Sequence, residues 1–218
     1  YPEKLEKEME VFESLRSEEL EGEGRSTHVP LVHCREVWLR DNKIISQKKH
    51  RHKRSGDVFT DALEKCTIGP STAVLRTDVF RELGGFREDL EVAEDYEFWL
   101  RLTSRYNVEY VDRPLVVKRA GHEGQLSEKY GQIEIFRIDA LRTLVEERWF
   151  YTQYAGVDAK KHDEEAGITA TAEELQKRAE TEYSRKCRIY AAGSRKRGKT
   201  AEAKWYEEVA ETYSHAEK

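Results

Sequence analysis

The sequence predicts an α/β fold followed by an α-helical tail, and two observations lead to this prediction. Over residues 1–127, short β-branched runs alternate with amphipathic stretches of helical spacing, which is typical of a sheet covered by helices. From residue 128 onward only helical spacing remains, and the last two helices are expected to pair as a hairpin. We therefore divide the chain into an α/β part, 1–127, and a helical extension, 128–218.

The first element is a predicted helix over residues 2–20. Its apolar residues share one face at helical spacing, and they are Leu5, Met9, Phe12 and Leu15. A polar connector follows over 21–30. Strands are then expected over 31–39 and 43–45, on either side of the turn-forming pair Asp41 and Asn42.

Three further elements lead to the middle of the chain. Residues 57–66 predict a short helix, and STAVL, 71–75, predicts a buried strand. Thr77 is the expected N-cap of a helix over 78–83. The paired glycines that follow this helix are expected to end it.

The best-patterned helix of the first half covers residues 94–106. Residues 108–118 predict either two strands or one strand interrupted at Pro114. The tail is expected to contain a helix over 128–150, a polar stretch over 156–168, and paired helices over 171–192 and 200–213.

The bulk composition disfavours several functional classes. The 43 acidic residues outnumber the 38 basic ones, so the chain lacks the overall basic character of a nucleic-acid-binding protein, and no nucleic-acid partner is expected. Three widely spaced cysteines favour a reducing, cytoplasmic compartment over a disulfide framework. No apolar run approaches the ~20 residues of a membrane-spanning helix, while peripheral membrane association and a homodimer stay open.

The stretch GSRKRGKT, 193–200, fits the phosphate-loop pattern. A phosphate loop joins a buried strand to a helix, so that its backbone amides curl around phosphate oxygens. The residues before 193 have helical composition instead, and the four variable positions are bulky or charged. The context therefore predicts a helical hairpin in which Gly198 ends the first helix and Thr200 caps the second. This hairpin resembles a single tetratricopeptide-type unit.

Two acidic residues, Glu94 and Asp95, stand at the start of the helix over 94–106. Asp95 lies on the same face as Trp99 and two other core-type residues, so its carboxylate is expected at the tip of a buried face, beside a cleft. Acidic residues at this position also complement the positive end of the helix dipole, worth about 0.3–1 kcal/mol. The residues alone leave both interpretations open.

Residues 66–127 resemble the second half of family-2 glycosyltransferases, which have the GT-A fold. The matching elements, in the same order and spacing, are STAVLR, LGGF continuing into FREDL, the Glu94-Asp95 pair leading into YEFWLRL, and RPLVVKRAGHEGQLS. PEKLEKEMEVF near the start also resembles the helix that follows the metal-binding acidic motif of such enzymes. The resemblance covers about residues 1–150 and implies a partial GT-A sheet, Rossmann-like, with the helical tail as an extension.

The resemblance implies roles for individual residues. Asp95 would be the general base on the acceptor hydroxyl, which attacks well only as its proton leaves, and Glu94 would position it. The implied substrate-binding residues are Trp99, Gln125 and Ser127, with Trp99 expected to pack beneath the site rather than touch sugar. His122 matches a histidine near the donor diphosphate and its divalent metal, Mn²⁺ or Mg²⁺; a structural loop histidine is equally supported.

The family's N-terminal half, with its acidic motif for metal and diphosphate, has no counterpart in this sequence. The resemblance therefore implies part of an inverting glycosyltransferase that moves a sugar from a nucleotide-sugar donor to a glycan or other hydroxyl acceptor, as in polysaccharide biosynthesis. A half-sheet would also expose strand edges that invite dimerisation. The alternative is a non-catalytic protein-interaction module built on a glycosyltransferase remnant.

Overall fold

The computed structural model of the protein describes residues 1–20, 29–45, 54–121, 133–154 and 170–214. Its architecture is mixed α/β, with an open four-stranded sheet, several helices and a helical C-terminal region. This confirms the predicted class and the helical character of the tail. Within these ranges, no helix combines the length and the apolarity needed to cross a bilayer.

The sheet is built around one long central strand. The strands are β1 (Leu31–Arg40), β2 (Lys43–Ile45), β3 (Ala73–Leu75) and β4 (Glu109–Ala120). β1 pairs antiparallel with β3 through its first residues and antiparallel with β2 through its last ones. Along its other edge β1 pairs with β4 in parallel, from Val32 opposite Glu109 to Arg40 opposite Ala120.

The β1–β2 hairpin turns at the predicted pair. Asp41 and Asn42 have φ angles of 50° and 58°, the left-handed values that a two-residue type I′ turn requires. Asp and Asn tolerate this region better than most residues, because their short polar side chains can hydrogen-bond locally. The hairpin predicted from this pair is therefore confirmed.

Two strand predictions need correction or refinement. β4 is one continuous strand, and the pairing with β1 becomes irregular where Arg35 lies opposite Pro114, since proline cannot donate a ladder hydrogen bond. The predicted strand over 71–75 is shorter, because Pro70–Thr72 forms a 3₁₀ turn. The strand that remains, β3, is half-buried rather than buried, and among the described strands it pairs with β1 alone.

The described helices match most of the predicted ones. They are α1 (Lys4–Leu20), α2 (Phe59–Glu64), α3 (Thr77–Glu82), α4 (Glu94–Thr103), α5 (Ile133–Glu146), α6 (Trp149–Tyr154), α7 (Ala172–Lys196) and α8 (Thr200–Thr212). The helix predicted over 128–150 is interrupted, because Arg148 adopts a left-handed φ of 51° between α5 and α6. The polar stretch 156–168 lies outside the described residues.

Both predicted threonine caps are wrong by one residue. Thr77 and Thr200 are the first residues of α3 and α8, and Arg76 and Lys199 hold the N-cap positions. The reason is that the carbonyl oxygens of Arg76 and Lys199 accept the first helical hydrogen bonds, at 3.0 Å in each case. Neither N-cap side chain accepts a hydrogen bond from its helix.

The helical hairpin predicted for GSRKRGKT is confirmed. α7 continues through Gly193, and Gly198 ends it with a φ of 77°. The amides of Gly198 and Lys199 donate to the carbonyls of Arg195 and Ser194, both at 3.0 Å, which is the Schellman arrangement of a helix end. Because a helix precedes the turn, the strand-loop-helix context of a phosphate loop is missing at this position.

Two clusters of buried side chains form the core. The larger cluster joins α2 and α4 to the C-terminal helices and includes Leu63, Tyr96, Leu141, Leu175 and Tyr183. The smaller one joins β1 to α3 and α4 and includes Leu31, Val79, Phe98, Trp99 and Val108. The larger cluster crosses the boundary expected between residues 127 and 128, so the two parts of the chain share one core.

The first helix, α1, packs on β1 and β4 with a polar residue inward. Glu8 is fully buried and pairs with Lys4 at 2.6 Å. The predicted apolar stripe is partly turned outward, with Leu5 62% and Met9 44% exposed. This leaves apolar side chains on the outer surface of α1.

Candidate active site at the start of helix α4

The acidic pair of the sequence lies at the outer tip of a buried helix. Ala93, just before α4, adopts a left-handed backbone conformation with φ 67° and ψ 20°, which turns the chain sharply into the helix. Glu94 and Asp95 are half-buried, whereas every residue from 96 to 103 is buried. The carboxylates therefore stand where a rigid core element reaches the surface.

A buried arginine fixes α4 to the turn that ends α3. Arg101 binds Glu97 with two hydrogen bonds, at 2.8 and 2.7 Å, and donates to the carbonyls of Leu83 and Gly85. A buried guanidinium needs such complete pairing, since removing one partner would leave an uncompensated charge. The LGGF and YEFWLRL segments, which carry part of the resemblance, are thus in direct contact.

An aromatic cluster supports α4 from below. Trp99 is 3% exposed, and its ring meets Phe98 at 5.3 Å and Phe86 at 6.4 Å between centroids, both edge-on. Phe80 joins the cluster through both phenylalanines. These contacts place Trp99 beneath the tip of the helix as part of the core.

Both oxygens of the Asp95 carboxylate have a hydrogen-bond donor. The Tyr96 amide lies 2.6 Å from Oδ1, and the Cys66 sulfur lies 3.5 Å from Oδ2 and 3.3 Å from the Ile68 carbonyl oxygen. Burial of the sulfur raises the pKa of the Cys66 thiol, and the negative charge of Asp95 raises it further. Cys66 therefore stays protonated at neutral pH and can donate its S–H to the carboxylate.

Cationic groups lie on the sheet side and the tail side of this contact. Arg137 and Lys118 both act on the Cys66 thiol, lowering its pKa against the larger effect of burial. Lys118 pairs with Glu36 at 3.1 Å and stands 5.3 Å from the centre of the Trp38 ring. Both positive and negative side chains therefore lie near the carboxylate at the tip of α4.

Gly69, three residues after Cys66, leaves space for the Lys118 ammonium. A Cβ added at Gly69 would lie 2.7 Å from the Lys118 ammonium and 3.1 Å from a Glu36 oxygen. Any side chain at this position would therefore push the Lys118–Glu36 pair away from the segment that carries Cys66.

The structure brings together some of the residues assigned from the sequence. Glu94 and Asp95 are the half-buried first residues of α4, and Trp99 lies one turn further along the helix, in the core. His122, Gln125 and Ser127 lie outside the described residues. Sequence reasoning missed Cys66 and Arg137, which are far from Asp95 in sequence and match no local motif.

A divalent metal is implied by the resemblance and would need several oxygen or nitrogen ligands. In the ranges that the structure describes, no three His, Cys, Asp or Glu side chains converge as a metal site. Glu94 and Asp95 alone do not make one. His122, the metal ligand that the resemblance implies, lies outside those ranges.

The geometry gives α4 features expected of a catalytic acid or base site: a half-buried carboxylate with hydrogen bonds to both oxygens, on an element held by buried contacts. Comparison with known proteins does not identify this site. No family model, curated protein or solved structure matches this chain.

Proposed function

We propose that this chain is the acceptor-side part of an inverting glycosyltransferase with a GT-A fold, and that Asp95 is its general base. The observation that carries the proposal is the position of Asp95, half-buried at the tip of a helix whose residues from 96 to 103 are all buried. The resemblance of 66–127 to family-2 glycosyltransferases supplies the reaction. The Arg101 contacts support it, because a base needs a scaffold that holds it in place.

In the proposed reaction the acceptor hydroxyl attacks the anomeric carbon of a nucleotide sugar. Asp95 takes the hydroxyl proton as the new C–O bond forms. The bond from the anomeric carbon to the diphosphate oxygen breaks, and the nucleoside diphosphate leaves with that electron pair. A single displacement inverts the anomeric configuration. Cys66 and the Tyr96 amide would hold the carboxylate in the orientation that accepts this proton.

The remaining assignments belong to the same proposal. Glu94 would orient Asp95 or the acceptor, and Trp99 would support the sugar site from below. Gln125 and Ser127 would contact the substrate. A divalent metal, Mn²⁺ or Mg²⁺, would stabilise the charge of the leaving diphosphate, with His122 as a ligand in this chain.

The test is release of nucleoside diphosphate from UDP- and GDP-sugars in the presence of Mn²⁺, with and without hydroxyl acceptors. We expect Asp95→Asn to reduce turnover by ~10²-fold or more, the usual size of a general-base contribution. The matched control is Glu88→Gln, which removes the same charge from an exposed position of the preceding segment. Equal turnover in Asp95→Asn and Glu88→Gln would remove Asp95 from the role of base.

A protein-interaction module is the second candidate function. It is favoured by the apolar side chains left exposed on α1 and by Ile44 of β2, which is 75% exposed. Exposed apolar side chains on neighbouring turns of one helix, as Leu5 and Met9 are on α1, are typical of an interaction surface. Isothermal titration with UDP- and GDP-sugars and Mn²⁺ separates the candidates, since a saturable heat favours the glycosyltransferase.

A further inference from the structure

A cavity of about 350 Å³ lies between α5 and the α7–α8 hairpin. Its volume is within the range of small-molecule pockets, about 300–1,000 Å³. The lining residues that matter for its chemistry are Phe136, Asp139, Arg142, Tyr183, Trp205 and Tyr206. Asp95 does not line it, so the cavity is distinct from the site at the tip of α4.

The cavity has an exposed aromatic ring beside an anchored one. Trp205 is 51% exposed, and its ring stands edge-on to Tyr206, with 4.6 Å between centroids and 88° between planes. Tyr206 is held by Tyr190, also at 4.6 Å. Ala203 and Ala210 of α8 are buried, and Ser184 of α7 donates to the Ala210 carbonyl at 2.7 Å. Trp205 is therefore presented to the cavity and the solvent rather than used to join the helices.

The polar groups of the cavity are paired with one another. Arg142 donates to Asp139 Oδ1 through Nε at 3.1 Å and Nη2 at 2.7 Å, and to Glu146 at 2.9 Å. Among the described residues, no donor binds Asp139 Oδ2, so this oxygen is available to a ligand.

Tyr206 adds a hydroxyl to these polar groups, whereas the Tyr183 hydroxyl is buried beside Cys187 and hydrogen-bonds to it. Burial raises the pKa of Tyr206 to about 12, so this phenol remains a donor at neutral pH. The cavity thus combines donors and acceptors with an apolar wall.

This combination selects among ligand classes. Trp205 and Tyr206 are perpendicular, so a flat heteroaromatic ring cannot be sandwiched between them and would stack on one face alone. An acyl chain cannot hydrogen-bond to the Asp139 carboxylate or the Arg142 guanidinium, and it would remove water from both groups. A pyranose ring fits both features, since its C–H face is apolar and its hydroxyls both donate and accept hydrogen bonds.

We propose that the cavity between α5 and the α7–α8 hairpin is a carbohydrate-binding site for a ligand of monosaccharide or disaccharide size. The apolar face of the sugar packs on Trp205. Its hydroxyls bind Asp139 Oδ2 and the remaining N–H groups of Arg142. The inference does not rest on the role proposed for Asp95, and its test measures binding rather than turnover.

The test uses the four indole N–H signals of the full chain in ¹H–¹⁵N spectra, with the Trp205 signal assigned through Trp205→Phe. The probes are glucose, galactose, mannose, N-acetylglucosamine, cellobiose, lactose and chitobiose. We expect at least one of them to shift the Trp205 signal saturably. Trp205→Ala, followed through backbone amides of α8, should weaken binding about tenfold or more, as truncation of a central aromatic contact does.

Two variants distinguish loss of the proposed site from a general effect on the protein. Asp139→Asn keeps the shape of the side chain and should weaken sugar binding, whereas Lys204→Ala, at an exposed position of α8, should not change it. Circular dichroism checks that each variant is folded. The inference is overturned if no sugar shifts the Trp205 signal, or if folded Asp139→Asn and Trp205→Ala bind as wild type does. A shift with phenol but with no sugar would also overturn it, since the cavity would then take apolar side chains.

Discussion

The Cys66 thiol and the Asp95 carboxylate lie 3.5 Å apart, although 29 positions separate them in the sequence. This contact joins two individual side chains. Thiols react as thiolates, so a buried thiol beside a carboxylate is less reactive than an exposed one. The same contact orients Asp95 Oδ2, which makes Cys66 a positioning residue in the proposed reaction.

We predict that alkylation of Cys66 by iodoacetamide at mildly alkaline pH becomes severalfold faster in Asp95→Asn. Removal of the negative charge lowers the pKa of the thiol, and the thiolate fraction rises accordingly. Peptide mapping by mass spectrometry distinguishes Cys66 from Cys34 and Cys187, both of which are buried.

Glu88→Gln serves as the matched control and should leave the rate of Cys66 alkylation unchanged. Equal rates in wild type and Asp95→Asn would show that the carboxylate does not act on the thiol.

At the scale of elements, the sequence GSRKRGKT fits both a phosphate loop and a helical hairpin, and the structure has the α7–α8 hairpin. The glycines of GSRKRGKT have different backbone conformations: Gly193 is inside α7, and Gly198 has a φ of 77°. Two cations of the hairpin are engaged by α8, with Lys199 on Glu202 at 3.2 Å and Arg195 on Glu207. These basic residues stabilise the turn instead of surrounding a phosphate.

We predict opposite effects for one substitution at the two glycines. Gly198→Ala should destabilise the protein by about 1–2 kcal/mol, since a Cβ disfavours the left-handed conformation even where space is open. Gly193→Ala should be neutral or stabilising by up to about 1 kcal/mol, because alanine favours a helix interior. The Cβ would lie 3.1 Å from Arg197 Nη1, a flexible end that can move.

Urea denaturation followed by circular dichroism measures both free energies of unfolding. A similar loss of stability in the two variants would contradict the hairpin and favour a tight loop around both glycines.

At the scale of the whole molecule, one buried lysine joins the helical tail to the α/β part. Lys186 of α7 is 3% exposed and donates to the Glu64 carbonyl at the end of α2, at 3.0 Å, and to Glu134 of α5, at 2.7 Å. Glu182 also lies 3.4 Å from its ammonium. The contact between tail and α/β part thus includes a charge network beside the apolar core.

We predict that this network makes stability depend on pH. Burial acts to raise the pKa of the Glu134 carboxyl, but the hydrogen bond and charge of Lys186, together with Arg137, lower it overall from its ordinary value of 4.5. A lowered pKa in the folded state stabilises the protein above pH 4.5, and this contribution is lost as pH falls through the folded-state pKa. Glu134→Gln should lower the free energy of unfolding by about 1–2 kcal/mol at neutral pH. This value lies between those typical of exposed and of buried ion pairs.

Urea denaturation of wild type and Glu134→Gln across this pH range provides the measurement. The difference in free energy of unfolding should shrink below pH 4.5. Glu88→Gln, at an exposed position outside the helices, is a control with the same charge change. A difference that stays constant with pH would show that the ionised form of Glu134 is not the stabilising one.

The sequence by itself determined the local structure of this protein. Alternating and helical periodicities, the Asp41-Asn42 turn and the glycine at 198 depend on neighbouring residues, so most elements and the hairpin could be predicted. Glu94 and Asp95 were also recognised locally, by their place at a helix start. Helix caps were missed by one residue, because the backbone carbonyl that accepts the first hydrogen bond decides them.

Only the tertiary structure decided which distant residues meet. The sulfur of Cys66 reaches Asp95, Arg101 binds the turn after α3, and Lys186 connects three helices because packing fixes their relative positions. The cavity beside Trp205 also arises only when α5 lies against the hairpin. Such contacts depend on the free energy of burying whole surfaces, and no short stretch of sequence determines that free energy.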